Sequence, residues 1–240
     1  MECNKCVYQD NCKQPNKDKP ACMLLARYNR IYKAAHIPKR YWECNCNNLP
    51  TKNDNPNSYA ATIRYCDNVL KLVNKGVNVL YYSQPTPTNT LGTGIGKTTS
   101  ACTILNQYIK EYVFHTVKQG IPIDTIPAYF LSCSELQNVY NSQFKTDDGA
   151  AKYKVIKQFA KESSLLVLDD IALRGCSEGF SCELYEIINY RDSEVKATIY
   201  TSNVNVNDLD KVLDSRITSR ITSNCGLLIM SGEDKRGVCL

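Results

Sequence analysis

The segment Gly94-Ile95-Gly96-Lys97-Thr98 constrains the fold more than any other part of this 240-residue chain. It follows an apolar segment and precedes a helical pattern. Glycines in such a turn let backbone N–H groups converge on phosphates, and the next helix presents its positive end to the same charge. The lysine contacts the β and γ phosphates, and the threonine hydroxyl ligates magnesium. We therefore expect a phosphate-binding loop (P-loop) with these nucleotide contacts: Gly92, Thr93, Gly94, Ile95, Gly96, Lys97, Thr98 and Thr99.

The start of this loop departs from the usual pattern. A P-loop normally has a glycine five residues before the glycine that precedes its lysine, and here that position is Leu91, with Gly92 next to it. The preceding turn, residues 83–91, is long and has two prolines. We expect a reshaped loop in which hydrolysis suffers more than nucleotide binding. The alternative is a glycine-rich turn before an ordinary helix.

Short apolar segments alternate with helical patterns along the chain. Five of them predict strands, at 77–82, 128–131, 165–168, 197–200 and 226–230. Apolar positions with helical spacing lie before the first segment, between the first two and before the third. This alternation is typical of a parallel sheet covered by helices on both faces. The sequence therefore predicts an α/β fold with a five-stranded parallel sheet.

Two carboxylates, Asp169 and Asp170, follow the third predicted strand. Ligands of α/β proteins bind at the carboxyl ends of parallel strands, so this pair is placed where a nucleotide would lie. We expect Asp169 to hold magnesium and Asp170 to orient or deprotonate the attacking water. A turn with a helix cap is the alternative. Asn203, after the next predicted strand, is a candidate for contact with the γ-phosphate or the attacking water.

Two arginines, Arg216 and Arg220, are four residues apart and so share one face of a predicted helix. One of them is a candidate arginine finger, a side chain that reaches into a neighbouring subunit and neutralises charge in the transition state. The alternative is that both form surface salt bridges. The residues alone leave both interpretations open.

Four cysteines lie within the first 22 residues, in a segment with little apolar content. A metal would replace the missing core, because a structural zinc site holds its ligands in a closed tetrahedron. We predict zinc; an iron–sulfur cluster, free thiols and disulfides are the alternatives. Cys44 and Cys46 are spare ligands. The predicted metal ligands are Cys3, Cys6, Cys12 and Cys22.

Basic residues are also concentrated near the N-terminus. The first 50 residues have nine Lys or Arg against four Asp or Glu, whereas the rest of the chain is balanced. Such a segment can contact nucleic acid or an acidic protein, although an ordinary solvated face is the simpler interpretation. We divide the chain into a cysteine-rich metal-binding module at 1–46, a polar linker at 47–58 and a nucleotide-binding domain at 59–240.

Six short motifs together resemble those of one family. In chain order they are Gly94-Ile95-Gly96-Lys97-Thr98, Leu168-Asp169-Asp170, residues 184–191, Thr201-Ser202-Asn203, Ser219-Arg220 and residues 232–236. Over residues 60–238 the chain is similar to the DnaC/DnaI-type helicase loaders of bacteria and phages, which are AAA+ ATPases. By that resemblance Asn203 is the sensor 1 residue, Arg220 the arginine finger and Arg236 the sensor 2 arginine.

The resemblance implies ATP and Mg²⁺ as cofactors. It also implies a chain that delivers the hexameric replicative helicase onto single-stranded DNA and assembles with copies of itself when ATP is bound. The module at 1–46 would dock the helicase. A transposition helper ATPase, whose core is similar, and a nucleotide-binding switch with little turnover are the alternatives. No basic and aromatic cluster in the sequence identifies the DNA contacts.

The expected location is the cytoplasm of a bacterial cell, and a phage-encoded protein fits the same resemblance. No apolar segment approaches the roughly 18 residues that a membrane-spanning helix needs. The first residues are polar and do not resemble a signal peptide. We therefore expect no membrane partner.

Overall fold

The computed structural model of the chain describes residues 6–8, 22–122, 126–172 and 176–236. The strands are β1 (Asn78–Ser83), β2 (Ala128–Ser132), β3 (Leu165–Asp169), β4 (Ala197–Ser202) and β5 (Cys225–Met230). The helices are α1 (Met23–Ala34), α2 (Pro56–Asp67), α3 (Val69–Asn74), α4 (Lys97–Gln119), α5 (Cys133–Ser142), α6 (Asp147–Glu162), α7 (Glu178–Ser193) and α8 (Ser215–Asn224). Two 3₁₀ turns lie at Lys39–Tyr41 and Val206–Lys211.

The strands form one parallel sheet in the order β2-β3-β4-β1-β5. The predicted α/β fold and its five strands are therefore confirmed, with their ends shifted by one or two residues. Because all strands run in the same direction, their carboxyl ends meet at one edge of the sheet. β4 lies between β1 and β3 and thus separates the strand before the P-loop from the strand that ends in the acidic pair.

The sheet has an apolar cluster on each face. Successive residues of β3 alternate between them, since Leu165 and Val167 belong to one cluster while Leu166 and Leu168 belong to the other. A strand buried on both faces needs apolar residues at every position, which explains its continuous apolar sequence. α4 is 23 residues long and lines the first cluster. Within the described ranges, no helix is both long and apolar enough to cross a membrane.

The N-terminal residues that the structure describes pack on the nucleotide-binding domain. Tyr8 and Ala35 are buried in the same apolar cluster as α4, and the Tyr8 hydroxyl donates a hydrogen bond to the Lys110 carbonyl at 3.0 Å. Residues 22–46 therefore share a core with the domain. α2 begins at Pro56, inside the segment predicted as a linker. The division of the chain into a docking module and an ATPase domain stays a prediction about function.

Candidate functional site

A cavity of about 360 Å³ lies at the carboxyl edge of the sheet. It is bordered by the P-loop, the start of α4, the ends of β3 and β4, and residues from both ends of the described chain. Most predicted site residues line it, namely residues 93–99, Asp169, Asp170, Asn203 and Arg236. Of the residues predicted to contact the nucleotide or to act in its hydrolysis, Gly92 and Arg220 do not line it.

The P-loop turns through glycines with left-handed backbone angles. Gly92 and Gly94 have φ values of 57° and 68°. A side chain at Gly92 would collide with Ser83, and one at Gly94 would collide with the carboxylate of Asp234. Glycine is therefore required at both positions. Leu91, which occupies the usual glycine position, is 71% exposed, so the close approach to β1 is made one residue later, at Gly92.

The long turn before the loop is closed by Asn89. Its backbone pairs with Thr86, with both N–H···O distances at 3.1 Å. Its buried side chain donates from Nδ2 to the carbonyls of Thr93, at 2.8 Å, and Gly232, at 3.0 Å. The start of the loop is thus reshaped as the sequence predicted. The additional residues tie the P-loop to the segment that follows β5.

Lys97 is a buried cation held by neutral oxygen atoms. Its Nζ donates to Ser83 Oγ at 2.7 Å and to the Gly92 carbonyl at 2.6 Å, and the residue is only 6% exposed. Burial lowers the pKa of Lys97 to about 8, against the opposing effect of Asp170 and Asp169. Lys97 forms no salt bridge with any residue in the described part of the chain. Its charge is therefore free to meet an anionic ligand.

The side chain of Asp169 is hydrogen-bonded both to Thr98 of the P-loop and to Thr201 of the neighbouring strand β4. Both hydroxyls donate to the same oxygen, Asp169 Oδ1, at 2.8 Å and 2.7 Å. Burial raises the pKa of Asp169 above its ordinary value, and the two hydroxyl bonds oppose that shift. The predicted pair of magnesium ligands, Thr98 and Asp169, is thus in direct contact. Thr201 fixes the carboxylate between β3 and β4.

Asp170 has a left-handed backbone, with φ at 55°, that few residues other than glycine adopt. Its N–H donates to Thr201 Oγ1 at 2.9 Å. Its Oδ1 accepts from Asn203 Nδ2 at 2.9 Å. Burial and then Asp169 raise the pKa of Asp170. Strained backbone of this kind is concentrated at functional sites, and here it brings together the two residues predicted to act on the attacking water.

The segment after β5 lies against the P-loop and supplies Arg236 to the cavity. The Arg236 guanidinium pairs with Asp234, with Nη2 and Oδ2 3.0 Å apart. Thr93 Oγ1 donates to the same carboxylate at 3.0 Å, and the Lys235 N–H donates to the Gly94 carbonyl at 3.1 Å. The hydrogen bond from Arg236 is the main cause that lowers the pKa of Asp234 to about 2. Asp234 therefore links the sensor 2 candidate to the P-loop.

The donor set of the cavity fits a nucleoside triphosphate and a divalent cation. Lys97 is a buried ammonium without a carboxylate partner, and a polyphosphate supplies the charge that it lacks. Asp169 and Asp170 likewise form no salt bridge with the described residues. Carboxylate and hydroxyl oxygens are ligands that Mg²⁺ prefers, with water and phosphate oxygens completing the octahedron. Thr98 and Asp169 are the residues that would hold it.

Arg216 and Arg220 lie on α8, away from the cavity of their own protomer. Arg216 pairs with Asp214 at 2.9 Å, which is the surface salt bridge that the sequence offered as the alternative. Arg220 Nε donates to Asn189 Oδ1 at 3.0 Å, and its guanidinium lies 4.8 Å from the centre of the Tyr185 ring. A finger acts on a neighbouring subunit, so the role of Arg220 stays a prediction.

The predicted zinc ligands are only partly described. Cys3 and Cys12 lie outside the described residues. Cys6 packs against the apolar cluster that contains Tyr8, and Cys22 is exposed just before α1. In the described ranges no group of three or more His, Cys, Asp or Glu side chains could hold a metal ion. The zinc site stays a prediction.

The sequence reasoning missed several residues of the site. Ser83 and Thr201 lie at strand ends on the same edge as Asp169, so the argument used for the acidic pair could have found them. Asp234 lies two residues before Arg236. Arg40 and Tyr41 line the cavity from the N-terminal side. No local pattern in the sequence indicates that these two residues reach the cavity.

The fold is similar to that of solved replication proteins. The DnaC helicase loader matches with a TM-score of 0.57 and 23% identity over 80% of this chain and 99% of that chain. DnaI matches with a TM-score of 0.57 and 18% identity over 81% and 95%. The replication initiator DnaA bound to AMPPCP and single-stranded DNA matches with a TM-score of 0.57 and 19% identity over 83% and 52%. No protein-family model and no curated protein sequence matches the chain.

Identities of this size show a shared fold. The resemblance to DnaC/DnaI-type loaders, inferred from six short motifs, is confirmed for the fold. It extends over about four fifths of this chain and over 99% and 95% of the solved DnaC and DnaI chains. The fold of this protein is similar to those of the DnaC helicase loader, of DnaI and of the replication initiator DnaA.

Proposed function

We propose that this protein is an ATPase that loads the replicative DNA helicase onto single-stranded DNA when replication starts. The observation that carries the proposal is the convergence of Lys97, Thr98, Asp169, Asp170 and Asn203 around one cavity. The loader-type fold supports it. A protein whose partner affinity differs between nucleotide states can hold the helicase in one state and release it in another.

Each residue of the cavity has a role that its position supports. Lys97 neutralises the β and γ phosphates, and the bound Mg²⁺ would offset further phosphate charge. Asp170 accepts a proton from the attacking water or orients it, with Asn203 fixing the carboxylate through the bond at 2.9 Å. Arg236 adds positive charge beside the same phosphates. Catalysis of this kind depends on positioning and charge neutralisation.

We expect Asp170→Asn to bind ATP as tightly as the wild type and to hydrolyse it at least about a hundredfold more slowly, because a positioned base contributes that much. Asp170 accepts its hydrogen bond from Asn203 and forms neither a hydrogen bond nor a salt bridge with Lys97, so the hydrogen bonds that hold the Lys97 ammonium should be preserved. Phosphate release and ATP affinity are measured on the same preparation. Asp210→Asn, an exposed carboxylate in a 3₁₀ turn, is the matched control. An Asp170→Asn protein that hydrolyses ATP at the wild-type rate contradicts the assigned role.

The loader assignment predicts two partners. The full-length chain is mixed with the hexameric replicative helicase of its own cell, with and without single-stranded DNA and a nonhydrolysable ATP analogue. We expect capture of the helicase and turnover that changes when DNA is added. Binding of a transposase in place of the helicase supports the transposition helper instead. Saturable ATP binding with negligible turnover under every condition supports the nucleotide switch.

Self-assembly belongs to the same proposal. Arg220 lies outside the cavity of its own protomer, so it can contribute to hydrolysis only across an interface with another copy. Asn189 and Tyr185 hold the guanidinium in one orientation. ATP would favour the assembly by supplying the negative charge that the arginine meets.

We also propose that Cys3, Cys6, Cys12 and Cys22 bind zinc and form the helicase-docking surface with the rest of residues 1–46. The four cysteines within the first 22 residues, in a segment with little apolar content, support it. Metal analysis of the purified full-length chain, with a visible absorption spectrum, distinguishes zinc from an iron–sulfur cluster. A metal-free chain that still captures the helicase removes the metal from the proposal.

A further inference from the structure

The segment that follows α1, residues 35–51, crosses the nucleotide cavity. At one end the Ala35 carbonyl accepts from the Phe130 N–H of β2 at 2.8 Å. In the middle, Asn106 Nδ2 of α4 donates to the carbonyls of Tyr41, at 2.9 Å, and Cys44, at 2.8 Å. At the other end Thr51 is buried beside Gly96. The segment is therefore fixed to the sheet, to the helix after the P-loop and to the P-loop itself.

Tyr41 places this segment at the magnesium end of the cavity. Its ring packs against Phe130, with centroids 6.5 Å apart. Tyr41 lines the cavity together with Thr98 and Asp169. Thr98 and Asp169 are the candidate magnesium ligands, and the ion of a P-loop site lies between the β and γ phosphates. Tyr41 is therefore beside the terminal phosphate of a bound triphosphate.

Arg40 carries a cation into the same part of the cavity. Its guanidinium lies 5.2 Å from the centre of the Tyr41 ring, which sets its direction. It lines the cavity and forms no salt bridge with any carboxylate that the structure describes. The two other basic residues near the mouth are paired, Lys235 with Asp54 and Arg236 with Asp234. Arg40 is thus a guanidinium that lines the candidate phosphate site and has no carboxylate partner among the described residues.

We propose that Arg40 binds the terminal phosphate of the bound nucleoside triphosphate and that residues 35–51 are part of the nucleotide site. The inference rests on the proposed function. A guanidinium fork suits phosphate oxygens better than an ammonium does. Because the terminal phosphate is absent from a diphosphate, Arg40 discriminates between ATP and ADP. The connection of this segment to α1 then links the N-terminal part of the chain to the state of the nucleotide.

The test compares Arg40→Ala with Lys39→Ala in the full-length chain. Lys39 is the adjacent basic residue, is also exposed, and does not line the nucleotide cavity. Affinities for AMPPCP and for ADP are measured by calorimetry with Mg²⁺ present. We expect Arg40→Ala to weaken AMPPCP binding by about tenfold, the effect of one charge-assisted hydrogen bond at a partly exposed position. ADP binding should change by less than about twofold, and Lys39→Ala should change neither.

Arg40→Lys provides a second variant, because it keeps the charge and loses the fork. We expect it to bind AMPPCP with an affinity between those of the wild type and Arg40→Ala. Equal losses for AMPPCP and ADP in Arg40→Ala, or no difference from Lys39→Ala, would overturn the inference. A wild-type chain that binds neither ligand would instead overturn the proposed function, so the two failures are distinguishable.

Discussion

Replacing Lys97 with alanine is expected to lower the affinity for ATP by about a hundredfold or more, because truncating one partner of a buried charge-assisted contact costs about 2–5 kcal/mol. The ammonium is buried, its pKa is lowered to about 8 by that burial, and only two neutral oxygens hold it. A triphosphate therefore gains most of its charge compensation from this group. Equilibrium binding of a fluorescent ATP analogue measures the loss.

The matched control for that variant is Lys118→Ala. Lys118 lies on the same helix, α4, but in its last turn, where it is exposed. We expect it to bind ATP like the wild type, because a solvated lysine far from the cavity has no contact with the nucleotide. Both variants should keep the free energy of unfolding of the wild type to within about 1 kcal/mol. A Lys97→Ala protein with unchanged affinity would show that the P-loop does not bind phosphate.

Replacing Arg191 with methionine is expected to destabilise the protein by about 3 kcal/mol or more, because it leaves several buried carbonyl groups without a donor. Arg191 is 1% exposed. Its guanidinium donates to the carbonyls of Ala160, Ser163 and Ala197 at 2.9, 2.8 and 2.6 Å, and its Nε donates to Thr198 Oγ1 at 2.8 Å. These bonds join the end of α6 and the approach to β3 with the start of β4. Urea unfolding measures the change.

Arg64→Met is the control for Arg191. Arg64 is exposed on α2, so its replacement should change the free energy of unfolding by less than about 0.5 kcal/mol. Arg191→Lys should also destabilise the chain, since a single ammonium cannot reproduce a planar fork that reaches acceptors on three elements. An Arg191→Met protein as stable as the control would mean that the carbonyl groups find other donors.

The fold could be predicted because its signals are local. β3 and β4 are buried on both faces and therefore form continuous apolar segments, and α4 carries its apolar residues at helical spacing. The order of the strands, with β4 between β1 and β3, was not predicted. It depends on pairing between distant segments, which no local pattern determines.

The residues of the candidate site likewise fall into those that local sequence signals predicted and those that they did not. Lys97, Thr98 and Asp169 were predicted because each lies at a strand end or a glycine turn, and parallel strands bring those ends together. Arg40 and Tyr41 were missed because they reach the cavity through packing on Phe130 and Asn106. Long-range packing of this kind leaves no periodic pattern in the sequence.

The N-terminal boundary shows a related limit. Six cysteines and a polar segment predict a separate N-terminal module in which a metal would replace the missing apolar core. In the described residues Ile31 and Ala35 of this region instead join the apolar cluster beneath α4. A few apolar residues are enough for that, because the domain supplies the rest of the cluster. The described part of this region therefore packs on the rest of the chain, and the division by function stays a prediction.

The most direct measurement is a crystal structure of the full-length chain with AMPPCP and Mg²⁺. We expect phosphates within hydrogen-bonding distance of Lys97 Nζ, and a magnesium ion bound through Thr98 Oγ1 and, directly or through water, Asp169. We also expect the terminal phosphate next to Asn203. Clear density for the analogue at another surface, with Lys97 still bonded to Ser83 and Gly92, would contradict it.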